Sequence, residues 1–308
     1  MNQTPLLLID SYSQIYRGYY AVRSLSTSKG EPSNAVFAMA KLLFKLQQEY
    51  GDRDGAFVFD KGKCSARLEL APEYKANRPP MPDDLRSQIE VIRELIRAFG
   101  WNIIEQESLE ADDLIGCIAT ANNSRDVLIL SSDKDLSQLI NRNIRMLVPD
   151  RDGKGLLLRD EAATIEKFGV PPAGIVDYLA LIGDSSDNIP GVEGVGPKTA
   201  ADLIREFGSI DAILAEPQKI KREALRGKIT GAAEILRLNQ KLIQLDLSAE
   251  ISGFDLTKKE PDYPAIRKIA EQMELKSILK DMDKQQLPEL PAKQEKQETR
   301  NTQMEFDF

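Results

Sequence analysis

Leu6-Leu7-Leu8-Ile9-Asp10 is a short, unbroken apolar run that stops at a carboxylate. Two later stretches repeat the design: Ala56 to Phe59 runs straight into Asp60, and Val127 to Leu130 reaches Asp133 within three residues. Continuous apolar runs of this length are the pattern of parallel strands covered on both faces, because a strand with one wet face would alternate. Amphipathic helices lie between them. Val36, Met39, Ala40 and Leu43 mark one after Pro32-Ser33, and Leu85, Ile89, Ile92, Ile96 and Phe99 mark another that Gly100 ends. Alternating strands and helices predict an α/β fold on a parallel sheet flanked by helices. Ligands bind such sheets beyond the carboxyl ends of the strands, where Asp10, Asp60 and Asp133 would converge.

Further acids sit where a strand would end or a helix begin: Glu110, Asp112, Asp113, Asp135, Asp184 and Asp187. Singly, each reads as a helix cap or a surface charge. Together, Glu110-x-Asp112-Asp113, Asp133-x-Asp135 and Asp184-x-x-Asp187 are spaced to present several oxygens to one place. So many carboxylates stay ionised side by side only around cations. The chain has no histidine. Hard oxygen ligands without imidazole or paired thiolates point to Mg²⁺, with Mn²⁺ able to substitute, rather than zinc. Two such ions about 3.5–4 Å apart suit phosphodiester hydrolysis. On the predicted helix Ser108 to Ala119, Glu110 and Asp113 share a face while Asp112 points elsewhere unless the turn is irregular.

The chain of 308 residues, 42% hydrophobic, suffices for one main domain and an appendage. A metal-dependent nuclease domain is expected over 1–165, a helical duplex-binding region over 166–284, where strand signals fade, and a disordered tail over 285–308, rich in Pro, Gln, Glu and Lys. Arg145 to Leu158 resembles a hairpin with Asp152-Gly153 in its loop. Nothing approaches the roughly 20 apolar residues of a membrane helix, and the start lacks a basic leader, so a soluble cytoplasmic protein is expected. Cys64 and Cys117 read as reduced thiols. A net charge of −8 is unusual for a nucleic-acid binder, but acids gathered around metals leave basic residues elsewhere free to track phosphates.

Gly191-Val192-Glu193-Gly194-Val195-Gly196-Pro197-Lys198-Thr199-Ala200 is one such place. Its glycines permit a turn that exposes backbone N–H groups, Pro197 suits the first position of a helix, and Lys198 adds a cation. That is a phosphate-backbone grip of helix-hairpin-helix type. The stretch from Lys61 to Pro82, with Lys63, Arg67, Tyr74, Lys75 and Arg78, follows Asp60 directly and would overhang the metals. Basic groups with an aromatic suit a single strand passing there, although a charge run is as often a solvated face.

The motifs Leu8-Ile9-Asp10-Ser11, Tyr16-Arg17, Glu73-Tyr74-Lys75-Ala76-Asn77-Arg78-Pro79-Pro80, Glu110-Ala111-Asp112-Asp113, Ser132-Asp133-Lys134-Asp135 and Gly183-Asp184-Ser185-Ser186-Asp187-Asn188-Ile189-Pro190-Gly191-Val192 occur in this order. With them the chain closely resembles the flap endonuclease family, in particular the 5′ to 3′ exonuclease domain of bacterial DNA polymerase I, over about residues 5 to 280. The resemblance implies a PIN-like α/β domain with a helical arch at about 61–82. It implies that Asp10, Asp60, Glu110, Asp112, Asp113, Asp133 and Asp135 surround a first metal, and that Asp135, Asp184 and Asp187 hold a second. Lys75 and Arg78 would steer the scissile phosphate from the arch. Arg17, Tyr20, Arg67, Tyr74, Gly194, Gly196, Lys198 and Thr199 would contact DNA, with K⁺ bound at the glycine-rich turn.

The expected activity is a structure-specific 5′ to 3′ exonuclease and 5′-flap endonuclease for RNA primer removal and repair. It would act as a monomer on branched, nicked or flapped DNA and RNA–DNA hybrids. No polymerase sequence follows, so a free-standing nuclease or a separately made domain is expected. A PIN-type ribonuclease would leave the duplex-gripping turn without a purpose, and a non-catalytic branch-binding protein is the other rival. An aspartate-nucleophile phosphatase wants a second aspartate where Tyr12 stands. The terminal Gln303-Met304-Glu305-Phe306-Asp307-Phe308 resembles the bacterial sliding-clamp hexapeptide, with Gln303, Met304, Phe306 and Phe308 as its contacts.

Overall fold

The computed structural model describes residues 4–22, 24–62, 65–150, 155–250 and 253–285. Its first part comprises β1 (Leu6–Asp10), α1 (Ser11–Ala21), α2 (Asn34–Tyr50), β2 (Asp54–Val58), α3 (Ser65–Leu70), α4 (Asp83–Arg86), α5 (Ile89–Ala98), β3 (Asn102–Ile104), α6 (Ala111–Ala121), β4 (Val127–Leu130), a 3₁₀ turn at Asp135–Leu139, β5 (Ile144–Pro149), β6 (Leu156–Arg159) and α7 (Glu161–Phe168). Then come α8 (Ile175–Ile182), a small ribbon of β7 (Gly183–Asp184) and β8 (Ile189–Pro190), α9 (Pro197–Phe207), α10 (Ile210–Ala215), α11 (Glu223–Gly231), α12 (Ala233–Ile243), α13 (Tyr263–Gln272) and α14 (Lys276–Lys284).

Among the described residues six strands form one sheet in the order β3-β2-β1-β4-β5-β6, parallel except for β6 at the edge. The three apolar runs are its centre, so their carboxyl ends all point the same way. Their burial follows the two-residue period of a strand. Leu7, Ile9, Phe57, Phe59, Leu128 and Leu130 face one core with α2 and α5, while Leu6, Leu8, Ala56, Val58, Val127 and Ile129 face the other with α6. The antiparallel partner of β5 is the expected hairpin; its loop, Asp152-Gly153, lies outside the described residues, as do Lys63 and Cys64. Cys117 is a buried free thiol.

The apolar stripe expected as one helix from Leu85 to Phe99 is two, α4 and α5. The break is at Gln88, 1% exposed, whose Oε1 accepts from Ala35 N (2.8 Å) and Val36 N (3.1 Å). Its Nε2 donates to Asn34 Oδ1 (3.0 Å) and Asp84 O (2.9 Å). Gln88 therefore satisfies the free N–H groups at the start of α2, a demand that no periodicity records. Strand β3 was not expected either, being three residues long with half-buried Asn102 and Ile103.

The region expected to be a single helical unit over 166–284 divides. Residues of α8, α9, α10, α11 and α12 build a separate core around Leu179, Leu181, Ile204, Ile213, Ile229 and Leu236. Beyond α12 the chain returns to the sheet: Gly55 N donates to Leu256 O (2.8 Å) and Lys259 N to Gly100 O (2.9 Å). Helices α13 and α14 then place Ile266, Ile269, Met273, Ile278 and Met282 in the first core, against α5 and α2. Both ends of the helical insert are thus anchored on the sheet. Among the described residues no helix is long and apolar enough to cross a membrane.

Because Ile278 is 1% exposed in that shared core, Ile278→Ala is expected to lower the unfolding free energy of the sheet-containing part by about 2–5 kcal/mol in urea denaturation, the range for emptying a buried aliphatic site. A change confined to the helical insert, with the sheet transition unmoved, would contradict this packing.

Candidate metal centre and nucleic-acid interface

Each acid reaches the carboxyl end of the sheet by a local device. Asp10 ends β1 and caps α1, its Oδ1 accepting from Ser13 N (3.1 Å) and its Oδ2 from Ser131 Oγ (2.6 Å). Ser131 Oγ also accepts from Asp133 N (3.0 Å), and Asp133 Oδ1 accepts from Asp135 N (2.9 Å), so the turn after β4 is folded around its own acids. Asp60 stands at the exposed rim, where its Oδ1 accepts from Ala111 N (2.8 Å) at the start of α6. Asp184 lies in β7 and Asp187 in the loop that β8 closes; both are buried.

Crowding shows in the proton affinities. Burial pushes the Asp10 carboxyl up to about 7, with Asp133 and Asp60 adding to the rise. Burial raises Asp112 and Asp135 well above the ordinary carboxylate value, and neighbouring acids raise them further. Asp133 is raised as well, chiefly by burial, and Asp60 rises because its carboxylate is desolvated although the residue as a whole stands at the rim. Asp184 goes the other way: burial opposes it, but Ser186 and Lys134 hold it low.

Asp135, Asp184 and Asp187 each offer an oxygen, and these oxygens lie within 4.8 Å of one another. Asp135 Oδ1 is buried with no hydrogen-bond partner. An oxygen-only donor set with an orphaned carboxylate oxygen fits a hard divalent cation, which would supply the missing partner.

The acids at the start of α6, all expected around the first metal, divide between two neighbourhoods. Glu110 precedes the helix as its cap residue. Glu110 and Asp113 do share a side, but that side faces Arg67. Asp113 receives both Arg67 Nη1 (2.6 Å) and Nη2 (2.8 Å), together with Asp246 N (2.9 Å). Asp112, which a regular helix would turn away from Glu110 and Asp113, faces Asp133, Asp10 and Asp60.

Arg67 is likewise not on the surface. It is 6% exposed, and besides Asp113 it bonds Glu110 Oε2 (2.8 Å), Leu242 O (2.9 Å) and Gln244 O (3.1 Å). The expectation that Arg67 touches DNA is therefore corrected: it joins α3, α6 and the end of α12. Tyr74 is also buried, at 7%, with its hydroxyl donating toward Glu110 (3.1 Å) and Asp187 (3.2 Å). These residues carry polar labels, and only the fold reveals that they face inward.

The overhanging segment is fastened to the loop that carries Asp187. Lys75 N donates to Asp187 O (2.9 Å), Asn77 Nδ2 to Ser185 O (2.6 Å), and Asn188 Nδ2 to Glu73 O (2.8 Å). Lys75 and Asn188 both adopt left-handed backbone, φ 56° and 57°, which these cross-bonds hold in place. Lys75 Nζ lies 2.6 Å from Glu110 Oε1, and Arg78 Nη2 lies 2.5 Å from Asp187 Oδ1. Leu68 and Ala71 pack on the helical core beneath.

A groove of about 1160 Å³ runs past Asp10, Asp60, Asp112, Asp133, Asp184 and Asp187. Arg17 and Tyr20 line it too, both exposed, with Tyr20 stacked on Tyr16 at a ring separation of 6.3 Å. The glycine-rich turn folds as its residues suggest. Gly194 has φ 76°, Gly196 caps α9, Pro197 opens it, Lys198 is exposed and Thr199 half-buried. Gln303, Met304, Phe306 and Phe308 lie outside the described residues. Sequence reading passed over Ser131, which bridges Asp10 to Asp133, and Lys134, whose place between two aspartates was the available signal.

A family model described as 5′-3′ exonuclease, N-terminal resolvase-like domain, matches residues 5–169, and one described as 5′-3′ exonuclease, C-terminal SAM fold, matches residues 170–264. The chain belongs to the 5′-3′ exonuclease family. A 5′-3′ exonuclease of Aquifex aeolicus is 39% identical over 287 residues, 91% of this chain and 95% of that one. The chain spans about a third of the length of the DNA polymerase I relatives it also matches. Among solved structures, the T5 5′-exonuclease with divalent zinc ions bound superposes with a TM-score of 0.64 at 22% identity, covering 91% of this chain and 98% of that one. The catalytic core of Rad2 in complex with DNA substrate gives 0.61 at 16% identity, covering 91% and 93%. At these identities the likeness is one of fold: a mixed, mostly parallel sheet flanked by helices, with a helical second part.

Breaking a buried charge pair from one side strands the other charge. Arg67→Met is therefore expected to cost about 3–5 kcal/mol of stability in chemical denaturation. Arg67→Met with Asp113→Leu is expected to recover most of it. No recovery in the double variant would show that Arg67 serves chiefly Glu110 and the α12 carbonyls.

Proposed function

We propose that this chain is a structure-specific 5′-3′ exonuclease and 5′-flap endonuclease that hydrolyses phosphodiester bonds with Mg²⁺, as in primer removal and repair. The observation that carries this reading is the carboxylate group Asp135, Asp184 and Asp187, with oxygens within 4.8 Å, lying directly under Lys75 and Arg78. Family membership supports the 5′-3′ polarity.

Asp135, Asp184 and Asp187 would hold one ion, and Asp10, Asp60, Asp112 and Asp133, with Glu110 at their edge, another. Asp113 supports the site through Arg67. The ions supply Lewis-acid activation of water and charge neutralisation at the leaving oxygen, with Mn²⁺ able to replace Mg²⁺. The remaining work belongs to side chains. Lys75 and Arg78 bind the non-bridging phosphate oxygens and stabilise charge that grows there. Arg17 and Tyr20, exposed along the groove, bind backbone and stack a base. Gly194, Gly196, Lys198 and Thr199 grip the duplex by its phosphates, with K⁺ on the turn's carbonyls, so selection follows shape rather than base sequence. We place the protein in the cytoplasm at the nucleoid, acting as a monomer on flapped, nicked or branched DNA and on RNA–DNA hybrids.

Asp135→Asn is expected to abolish cleavage of a labelled flap while leaving affinity for branched DNA within about tenfold, because the loss falls on the chemical step. Lys75→Ala is expected to slow single-turnover cleavage on the order of 10²-fold, whereas Lys198→Ala weakens binding and lowers the salt slope by about one. Undiminished turnover in Asp135→Asn would overturn the site, and identical behaviour of the two lysine variants would overturn the division of roles.

The terminal hexapeptide is proposed to bind a sliding clamp, raising the local concentration of nuclease at nascent DNA. A peptide of residues 297 to 308 is expected to bind the cognate clamp with a Kd on the order of micromolar in calorimetry. No heat and no competition at roughly a hundred times that concentration would discard the motif.

A further inference from the structure

Lys134 stands between Asp133 and Asp135 and lines the groove. Its Nζ lies 3.0 Å from Asp184 Oδ2. The other oxygen of Asp184 is already engaged, accepting from Ser186 N (2.9 Å) and Ser186 Oγ (2.7 Å). Oδ2 is thus the oxygen Asp184 has left for a cation, and Lys134 is on it. An ordinary structural ion pair would account for one such contact. Here the pair lies inside a group whose three carboxylates converge within 4.8 Å, and its lysine is tied by sequence to a second member, Asp135.

We infer that Lys134 is a positioning residue whose ammonium shares Asp184 Oδ2 with the divalent cation and passes to a phosphate oxygen when nucleotide arrives, so that metal and phosphate bind cooperatively. The inference rests on the metal reading given above. Its physical basis is charge balance. A divalent ion approaching Asp184 meets a like charge a few ångströms away, which weakens its hold. A phosphate gives that ammonium another partner of the right kind, a charge-assisted acceptor within reach of a flexible four-carbon stem. Anything that draws Lys134 from the carboxylate therefore strengthens the metal, and by linkage the metal strengthens phosphate binding to the same degree. Lys75 and Arg78 act from the arch in the same sense on Glu110 and Asp187, whereas Lys134 acts on Asp184 from the turn after β4.

The test counts bound Mn²⁺ by electron paramagnetic resonance on the full chain without DNA, then repeats the titration with saturating thymidine 5′-monophosphate, which carries no bond to cleave. In the wild type the nucleotide is expected to tighten the Mn²⁺ site that Asp184→Asn removes by about fivefold, within the usual range of coupling between two sites. Lys134→Gln is expected to tighten that site by about tenfold without nucleotide, the effect of roughly one unit of pairing energy, and to reduce the nucleotide effect below about twofold. Lys134→Arg, which keeps the charge, should behave as wild type. Lys61→Gln removes an equal charge from a residue paired to Glu105 (3.6 Å) and Glu107 (3.9 Å) instead, and should change the constant by less than about twofold. Wild-type affinity in Lys134→Gln, or an undiminished nucleotide effect there, would overturn the inference while leaving the metal reading standing. Wild-type protein that binds no second Mn²⁺, or Asp184→Asn that binds both ions as before, would overturn the metal reading and this inference with it.

Discussion

Mutual repulsion among carboxylates at the carboxyl end of the sheet is the constraint around which the rest of the molecule is arranged. Burial raises Asp10, Asp112, Asp133 and Asp135 above the ordinary carboxylate range, and each acid raises its neighbours further. Left alone, such a group would protonate or spread apart. The fold opposes this with cations from three directions: Arg67 from the first helix of the arch, Lys75 and Arg78 from its far end, and Lys134 from the turn after β4. Backbone N–H groups and Ser131 hold individual oxygens.

Arg67 shows why the arch cannot be a loose cover. Its planar guanidinium spends two nitrogens on Asp113 and reaches carbonyls at the end of α12, a geometry that lysine could not reproduce. One side chain thus joins the arch, the helix that begins at the metal centre, and the helical insert. The far end of the arch is bound to the loop of Asp187 by backbone and asparagine bonds. The segment that bears Lys75 and Arg78 is therefore positioned by the same loop that supplies a candidate metal ligand, so the places proposed for phosphate and metal are tied to each other.

The return of α13 and α14 to the sheet completes this arrangement. A helical insert fixed at one end could rotate relative to the nuclease core. Fixed at both, and joined again through Arg67, the insert that carries the glycine-rich turn is tied to the sheet at three places. A duplex held by that turn would then meet the metals at a defined number of phosphates from its grip.

Much of this was legible along the chain. The three apolar runs announced parallel strands because a strand buried on both faces has no polar alternation, and each carried its aspartate to the same edge. Gly194, Gly196 and Pro197 described their own turn because φ preference is a local property. What only the tertiary structure decided was the partner of each charge. Arg67 read as a surface cation until its carbonyl partner, 175 residues away, took it inside. Asp113 was taken by Arg67 while Asp112 stayed among the other acids, and Lys134 acquired meaning from Asp184. Backbone conformation answers to neighbours in sequence, whereas a buried charge answers to whatever the fold brings within about 3 Å, the reach of a hydrogen bond.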